Sequence, residues 1–175
     1  MPVCTCHLGA LTYLKAAKAL LPENCWDSHY DLSMSLNFQL ANSAYPCTEI
    51  DIAKDALAEI DLRARCLEDK FDANYLLVKV LHHDAKDLPL ALSTCRRMLS
   101  LLGEPIPSES EISTTDQFAE LGMTRMACAS TASEYMLSLP QTDCRRLNNI
   151  ARFYVLLALI SYTLGNETEG WLCAY

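Results

Sequence analysis

The sequence predicts an all-α fold, with helix-turn-helix repeats stacked as a short tetratricopeptide-like α-solenoid of about seven or eight helices. Apolar residues recur at three- and four-residue spacing over most of the chain, which is the period of a helix with one buried side. Only five of the 175 residues are glycine, which disfavours both phosphate-binding loops and a turn-rich β-sandwich. A pattern of small, large and large apolar residues also occurs twice, as expected if one helix pair follows another.

The length and net charge of the chain limit the number of domains it can form and the classes of partner it can bind. A chain of 175 residues suits one compact domain, 1–175, and is too short for a catalytic domain beside a repeat array. Apolar residues make up 51% of the chain, enough to fill a core. The net charge of −8 repels a phosphate backbone. The basic pairs Arg96-Arg97 and Arg145-Arg146 are interpreted as solvated helix faces, so we expect no nucleic-acid partner.

The first two long helices follow from local signals. Leu8 to Leu21 is rich in alanine, leucine and lysine, and Pro22 ends that helix. The next segment is ambiguous, because apolar and polar residues alternate strictly from Tyr30 to Leu40, which by itself is typical of a strand. The same residues form two apolar stripes when wound as a helix, and no other segment offers a strand partner with comparable alternation. We therefore predict a helix, with Asp27 or Ser28 as its N-cap.

The middle of the chain gives the clearest helix signals. Thr48 to Arg65 carries apolar residues at helical spacing, with the first residue or Asp51 as its cap. Glu68-Asp69-Lys70 opens the following helix. Pro89 lies in the first turn of the next one, where its missing N–H costs nothing, and Gly103 is a natural C-cap for that helix.

Beyond this point the prediction is coarser. The stretch 103–115 is rich in serine, glutamate and proline and is interpreted as a mobile loop. Further helices are expected within 116–175. One runs from Asp116 to Leu139, with a break near Gly122, and one from about Thr142 to Leu164. The remaining residues to 175 are expected to form one more turn or short helix.

The repeat lies in the helix pairs 28–66 and 69–103. Aligning the two pairs places Ala53, Leu57 and Ile60 over Ala91, Cys95 and Met98. The small residue at the first position lets the second helix of a pair approach the first closely. The pairs 28–66 and 69–103 each have the length typical of helix-pair repeats, which bury their apolar faces only by stacking on the next pair.

Several short motifs carry a family resemblance. They are Leu20-Leu21-Pro22 with Trp26 and His29-Tyr30, then Leu67-Glu68-Asp69-Lys70, then Ala91-Leu92 leading to Leu99, Leu102-Gly103-Glu104 and Pro107. Through them, roughly residues 16–107 resemble the helical region of large signalling ATPases. In those proteins a kinase-like domain and an ATPase module precede a tetratricopeptide-like array, and sensory or histidine-kinase domains follow it. The resemblance implies a helical array and not a catalytic site.

The chain departs from that multidomain architecture. It contains no Gly-x-x-x-x-Gly-Lys phosphate loop, no kinase signature and no sensory domain. If the resemblance holds, the chain is a fragment or a stand-alone relative of such proteins.

Few groups could carry chemistry. Cys4-x-Cys6-His7 is the densest set of soft-metal ligands, but its spacing does not match the paired cysteines of structural zinc sites. No metal or other cofactor is therefore expected. A thiol enzyme would use Cys25 as nucleophile with His29 as base, and no third group or oxyanion donor is recognisable beside them. We expect no catalytic residue.

The other conspicuous side chains have ordinary interpretations. His82-His83 is expected to cap a helix end. Trp26 is expected in the core, whereas Trp171 is expected to be exposed if the array ends there. Serines at 108, 110 and 113 lie among acidic residues as in a phosphorylation tract, with a plain solvated loop as the favoured interpretation.

Signals for a membrane or for export are weak. Met1 to Ala10 contains no lysine or arginine before an apolar segment, so no secretory signal is expected. The longest apolar run, Phe153 to Ile160, is far shorter than a bilayer span. Nine cysteines without a secretory signal predict reduced thiols in a cytoplasmic protein.

Three functional hypotheses remain. The favoured one is a non-catalytic protein-interaction or relay module, a fragment or relative of a signalling ATPase or kinase, with protein partners that include ATPase or kinase domains. The alternative is a structural fragment that needs neighbouring domains and self-associates in isolation, because an uncapped solenoid exposes apolar surface. A thiol-dependent enzyme is the least favoured.

Overall fold

The computed structural model describes residues 5–83, 87–107, 114–131, 135, 138 and 143–165. Over these residues the fold is all-helical, as predicted, and no strand is present. The helices are α1 (Thr5–Ala19), α2 (Cys25–Ser28), α3 (Tyr30–Ala44), α4 (Ile50–Arg63), α5 (Leu67–Leu81), α6 (Leu88–Leu101), α7 (Thr114–Ser130) and α8 (Arg145–Leu164), with a 3₁₀ turn at Tyr45–Cys47.

The ambiguous alternating segment forms a helix. Tyr30 to Leu40 lies within α3, and two of its polar residues, Ser33 and Asn37, are buried. The alternation misleads because α3 has neighbours on more than one side, so polar positions as well as apolar ones face other helices. Burial of Asn37 is compensated by side-chain hydrogen bonds, which a sequence pattern does not reveal.

The predicted caps of α3 and α4 are wrong. His29 is the N-cap of α3 and makes no side-chain cap bond, while the Ser28 hydroxyl donates to the Asn24 carbonyl instead. Glu49 is the N-cap of α4, again without a side-chain bond. Thr48 precedes it in the left-handed region, with φ of 61°, and its hydroxyl donates to the Cys47 carbonyl. Capping residue types therefore bond locally here rather than to the helix that follows.

The predicted break at Gly122 is also wrong. Helix α7 passes through this glycine from Thr114 to Ser130, and no atom lies within 4 Å of the position a Cβ would occupy there. A single glycine destabilises a helix by about 1 kcal/mol relative to alanine but does not end it. The expected loop 103–115 is irregular over 104–107, and the expected turn after α8 lies outside the described residues.

The chain divides into two compact units, Met1–Asp87 (unit 1) and Leu88–Tyr175 (unit 2). This boundary falls inside the predicted repeat pair 69–103, whereas the pair 28–66 lies wholly in unit 1. The assignment of a single repeat domain, 1–175, stays a prediction.

Unit 1 is a succession of neighbouring helices. Helix α1 packs against α3, α3 against α4, and α4 against α5, with the short α2 beside α3. The predicted apolar positions Ala53, Leu57 and Ile60 are confirmed as core, since each is at most 1% exposed. They lie on α4, which has α3 on one side and α5 on the other, and form part of the main apolar cluster of the unit.

Unit 2 is built on the contact between α6 and α8. The aligned positions Ala91, Cys95 and Met98 of α6 are completely buried, and so are Leu157 and Ile160 of α8. The two copies of the small-large-large pattern are thus buried alike. Their burial is what helical periodicity predicts, and it does not by itself decide between a solenoid and another helical arrangement.

Helix α6 ends as predicted, at Gly103. This residue has φ of +85°, and the N–H groups of Gly103 and Glu104 donate to the carbonyls of Ser100 and Leu99. These two bonds define a Schellman C-cap, in which the residue after the helix must be left-handed and is usually glycine.

Candidate interaction surfaces

A polar network joins four helices of unit 1. The Lys18 ammonium of α1 donates to Oδ1 of Asn37 on α3 at 2.6 Å and to Oε2 of Glu59 on α4 at 2.7 Å. The indole N–H of Trp26 on α2 donates to the other oxygen of Glu59 at 2.6 Å. Asn37 in turn donates to the Ser33 carbonyl. Through these bonds the network links α1, α2, α3 and α4.

The electrostatics of Glu59 reflect that arrangement. Burial raises the pKa of this carboxyl, but hydrogen bonds from Lys18 and Trp26 and the positive charges of Lys18 and Arg63 outweigh burial, so the pKa lies below its ordinary value. Glu59 is therefore ionised at neutral pH, as an ion-paired structural carboxylate is.

A second polar group ties α5 to α3. The Tyr30 hydroxyl donates to Asp69 at 2.6 Å and accepts from the backbone N–H of Arg65 at 2.9 Å. The Arg65 guanidinium lies 4.1 Å from the centroid of the Tyr30 ring and donates to the Trp26 carbonyl. Burial and the hydrogen bond to Asp69 raise the pKa of Tyr30. Tyr30 and Trp26 also meet edge to face, so the predicted core position of Trp26 is confirmed.

The residues of the thiol hypothesis are not arranged for catalysis. Cys25 is buried, 8% exposed, and belongs to the apolar cluster of unit 1, whereas the His29 side chain is exposed. Only a backbone bond, from the N–H of His29 to the carbonyl of Cys25, is recorded between them. A thiol in an apolar core is a small hydrophobe rather than an accessible nucleophile.

The N-terminal soft-ligand group is only partly described. Cys6 is exposed and His7 is half-buried, while Cys4 lies outside the described residues. Among the residues that the structure does describe, no group of three histidine, cysteine, aspartate or glutamate side chains is placed to hold a metal ion.

The histidine pair lies at the end of α5, as predicted. His82 is the C-cap residue, and its N–H donates to the Val78 carbonyl. The His83 ring contacts Tyr45 through a short hydrogen bond between Nε2 and the hydroxyl, with the two rings edge to face at 5.1 Å. Burial raises the pKa of Tyr45. His83 thus links the end of α5 to the 3₁₀ turn.

One basic residue has a role that the sequence did not suggest. Arg146 of α8 was expected on a solvated face, but its Nε and Nη2 both donate to the Leu102 carbonyl, at 3.0 and 2.6 Å. The same guanidinium lies 3.5 Å from Glu104. Arg146 therefore closes the C-terminal end of α6. Trp171 and the serines at 108, 110 and 113 lie outside the described residues.

The outer face of α1 is unusual because it is exposed yet almost uncharged. Leu8 and Tyr13 are 58% and 79% exposed, and Leu20, which directly follows the helix, is 85% exposed. Gly9, Thr12, Ala16 and Ala19 are exposed between them. Lys15 lies at the edge of this face, and Lys18 turns inward to the polar network. Solvent-facing sides of helices normally carry charges, so this composition is typical of a surface that is covered by a partner.

The outer face of α8 is likewise apolar. Large exposed side chains on it are Leu147, Val155, Leu159 and Tyr162. By length and composition α8 could cross a bilayer, with mean hydropathy 1.3 over the relevant window, of which 33% is buried inside the protein. Core helices of soluble proteins pass the same test, and α8 has a core side that packs on α6.

Comparisons with known proteins give no assignment. No family model, no curated protein sequence and no solved structure matches the chain. The kinship with signalling ATPases therefore stays a proposal, supported by the short motifs alone.

Proposed function

We propose that this protein is a non-catalytic interaction or relay module of the cytoplasm, and that it binds a protein partner through the outer face of α1. The observation that carries the proposal is the exposed and nearly uncharged surface formed by Leu8 and Tyr13 on α1 and by Leu20 directly after it. Helix α1 is the first described member of the succession α1, α3, α4, α5. Its outer side is thus where a further helix would continue that succession.

The chemistry of the face indicates what such a partner offers. Around the helix, the small residues Gly9 and Ala16 lie between Leu8 on one side and Tyr13 on the other, so an incoming helix can approach closely between two large side chains. The partner surface that fits is the apolar side of an amphipathic helix. In the proposed kinship with signalling ATPases, this helix belongs to a neighbouring array or to an ATPase or kinase domain.

The alternative, a structural fragment that needs neighbouring domains, rests on the same face. The two differ in the stability of the isolated chain. A self-sufficient module unfolds cooperatively as a soluble species, whereas a fragment aggregates or lacks a cooperative transition. The thiol-dependent enzyme loses support because Cys25 is buried.

Site-specific photocrosslinking tests the proposal. A benzophenone side chain replaces Tyr13 on α1, and a matched control replaces Leu62 on α4, which is equally exposed at 79% but isolated. We expect the first probe to yield a discrete crosslinked protein in host lysate that contains an ATPase or kinase domain. The second probe should yield none, and Leu20→Glu should abolish the crosslink.

Equal crosslinking from positions 13 and 62, or none from either, would contradict the proposed binding face. A cooperative urea transition of the isolated chain would remove the fragment alternative.

A further inference from the structure

We propose that the outer face of α8 docks on the surface of a lipid bilayer that contains anionic lipids, with the helix lying in the plane of the surface rather than across it. The inference concerns a different helix from the proposed partner-binding face of α1 and goes beyond that function. Three properties of α8 support it, namely its hydropathy, the exposure of one side and the charge of its amino end.

Helix α8 is more apolar than its packing against α6 requires. The apolar window of 18 residues has mean hydropathy 1.3, but only 33% of that window is buried inside the protein. Core helices of soluble proteins reach such hydropathy with most of their residues buried. Packing in unit 2 therefore accounts for only part of the apolar character of α8, and the rest is available to an apolar medium outside the protein.

The large exposed side chains of α8 share one side of the helix. Each of them is about half exposed or more, and they are Leu147, Val155, Leu159 and Tyr162. At about 100° per residue they fall within an arc of about 120°, and no charged residue lies within this arc. The face is about 22 Å long at 1.5 Å per residue. A long, uncharged strip of this kind is typical of helices that lie along a membrane surface.

The amino end of α8 carries concentrated positive charge. Arg145 and Arg146 are its first two residues, at the end where the helix dipole is also positive. Acidic residues are favoured at such positions, but the first turn contains none, and no side chain caps the helix. Arg152 adds a third arginine at the edge of the outer face, and α8 contains no aspartate or glutamate.

Neighbouring carboxylates offset this charge only in part. Glu104 lies 3.5 Å from Arg146, and Asp143 lies two residues before the helix in sequence. With these two subtracted, the three arginines and a dipole equivalent to about half a positive charge leave a positive balance. Anionic headgroups complement this end, and the acyl region of the same bilayer complements the uncharged face beside it.

Packing against α6 determines how α8 meets the bilayer. Phe153, Leu157 and Ile160 are at most 1% exposed, and a helix that crossed the bilayer would have to leave this core. Docking through the outer face keeps the core intact. Arg145 and Arg152 lie beside the apolar face, so their aliphatic stems can cover apolar surface while the guanidinium groups reach the headgroups. We therefore expect reversible, salt-sensitive binding.

Vesicle flotation of the intact chain tests the docking. The wild type should float with phosphatidylcholine vesicles that contain phosphatidylserine, and at least about tenfold less with phosphatidylcholine alone, because anionic lipid supplies the electrostatic attraction. Val155→Glu, in the middle of the face, should abolish flotation. Leu62→Glu, at an exposed apolar position of α4, is the matched control and should float like the wild type. A wild type that binds both vesicles equally or neither, or a Val155→Glu variant that floats normally, would overturn the proposal.

The charge of the amino end is tested separately. Arg145→Gln should weaken flotation with the anionic vesicles several-fold. Raising salt from about 0.1 M to about 1 M shortens the screening length from about 10 Å to about 3 Å and should also release protein. Inorganic phosphate should release no more protein than sodium chloride of equal ionic strength. Specific release by phosphate would identify a site for free anions and overturn docking on lipid.

A tryptophan probe avoids dependence on a disruptive variant. Val155→Trp keeps the face apolar, and its emission should shift to shorter wavelength when anionic vesicles are added, because the indole leaves water. Leu62→Trp should show no shift. If Val155→Trp binds the vesicles without a shift, this face does not enter the bilayer and the proposal fails.

Other occupants of the face would give a different pattern. Sedimentation velocity without vesicles should show the same species for the wild type and Val155→Glu. A dimer that Val155→Glu dissociates would assign the face to a second copy of the chain and contradict docking on lipid. Crosslinking from position 13 should be unchanged in Val155→Glu, so failure of membrane docking and failure of the proposed partner site on α1 are separable.

Discussion

The two units hold their helices together by different means. In unit 1, Lys18 and Glu59 bond across α1, α2, α3 and α4, and Tyr30 bonds to Asp69 on α5. In unit 2, the residues buried on α6 and α8 are mostly apolar, and Arg146 of α8 bonds to the Leu102 carbonyl at the end of α6. Among the described residues, buried polar atoms without a hydrogen-bond partner occur in both units, at Oγ of Ser33 in unit 1 and at Nδ2 of Asn149 and Oγ of Ser161 in unit 2.

The polar contacts of unit 1 and the apolar contacts of unit 2 differ in how strictly they fix the arrangement of the helices. A hydrogen bond between charged or polar side chains tolerates few geometries. The network of unit 1 therefore favours one alignment of each helix along its neighbour. Apolar contacts stabilise many neighbouring geometries nearly equally. In unit 2, the described side-chain hydrogen bonds between α8 and the end of α6 are those from Arg146 to the Leu102 carbonyl.

The largest expected effect tests whether the units unfold separately. Leu57→Ala in unit 1 and Leu157→Ala in unit 2 both remove a fully buried side chain and should each cost about 2–5 kcal/mol. Hydrogen exchange should show lost protection confined to the unit that carries the substitution. Leu62→Ala, at an exposed position, should change stability by less than about 0.5 kcal/mol. Loss of protection in both units from either variant would show that they unfold as one.

The next effect probes the network directly. Glu59→Ala removes an acceptor of both Lys18 and Trp26 and should cost about 2–3 kcal/mol in urea unfolding. It leaves the buried indole N–H of Trp26 unpaired and leaves Lys18 with Asn37 as its remaining acceptor in the network. Glu59→Gln keeps one acceptor oxygen and should cost less. Glu23→Ala, on an exposed side chain, is the control. A cost for Glu59→Ala no larger than that of the control would mean that the network contributes nothing to stability.

The Glu59 carboxylate should also make the stability of unit 1 depend on pH, with stability lost as the pH falls. Because the folded-state pKa of Glu59 is lower than its ordinary 4.5, its contribution is complete above pH 4.5 and is lost as pH falls through the lower folded value. The wild type should therefore lose stability more steeply below pH 4.5 than Glu59→Gln does. Parallel pH profiles of the two proteins would exclude this linkage.

The smallest effect concerns the unpartnered hydroxyl in unit 2. Ser161→Ala removes a completely buried oxygen without a partner and should raise stability by about 0.5–1 kcal/mol. A thermal melt suffices to measure it. Ser138→Ala, at a hydroxyl that donates to the Tyr135 carbonyl, should not stabilise. Destabilisation by Ser161→Ala would indicate that the hydroxyl has a bonded partner in solution.

Local features were predictable from sequence, and contacts between distant residues were not. Helical spacing placed Ala53, Leu57 and Ile60 in the core because burial of one helix side is a property of the helix itself. Gly103 was recognisable as a C-cap because few other residues accept a positive φ. The N-caps failed at His29 and Glu49, since neither helix start uses a side-chain bond.

The interaction surfaces show the same limit. Lys18 and Glu59 are 41 residues apart in sequence, and nothing local to either residue identifies the other. The outer face of α8 was visible in the sequence only as part of an apolar run, because which side of the helix is buried against α6 depends on the fold. The signal that could have found the outer face of α1 is the lack of charge at Gly9, Tyr13, Ala16 and Leu20.

The hydrogen bonds from Arg146 to the Leu102 carbonyl also bear on the order of folding. Helices α6 and α8 can each form in about a microsecond from local contacts, but this bond joins residues 44 positions apart and must await closure of the chain between them. A Cβ at position 103 would lie 3.2 Å from the Arg146 guanidinium. The glycine therefore leaves room for the Arg146 side chain at the end of α6. We therefore expect the bond between Arg146 and the Leu102 carbonyl to form late in folding, and a probe at the end of α6 to report when unit 2 has closed.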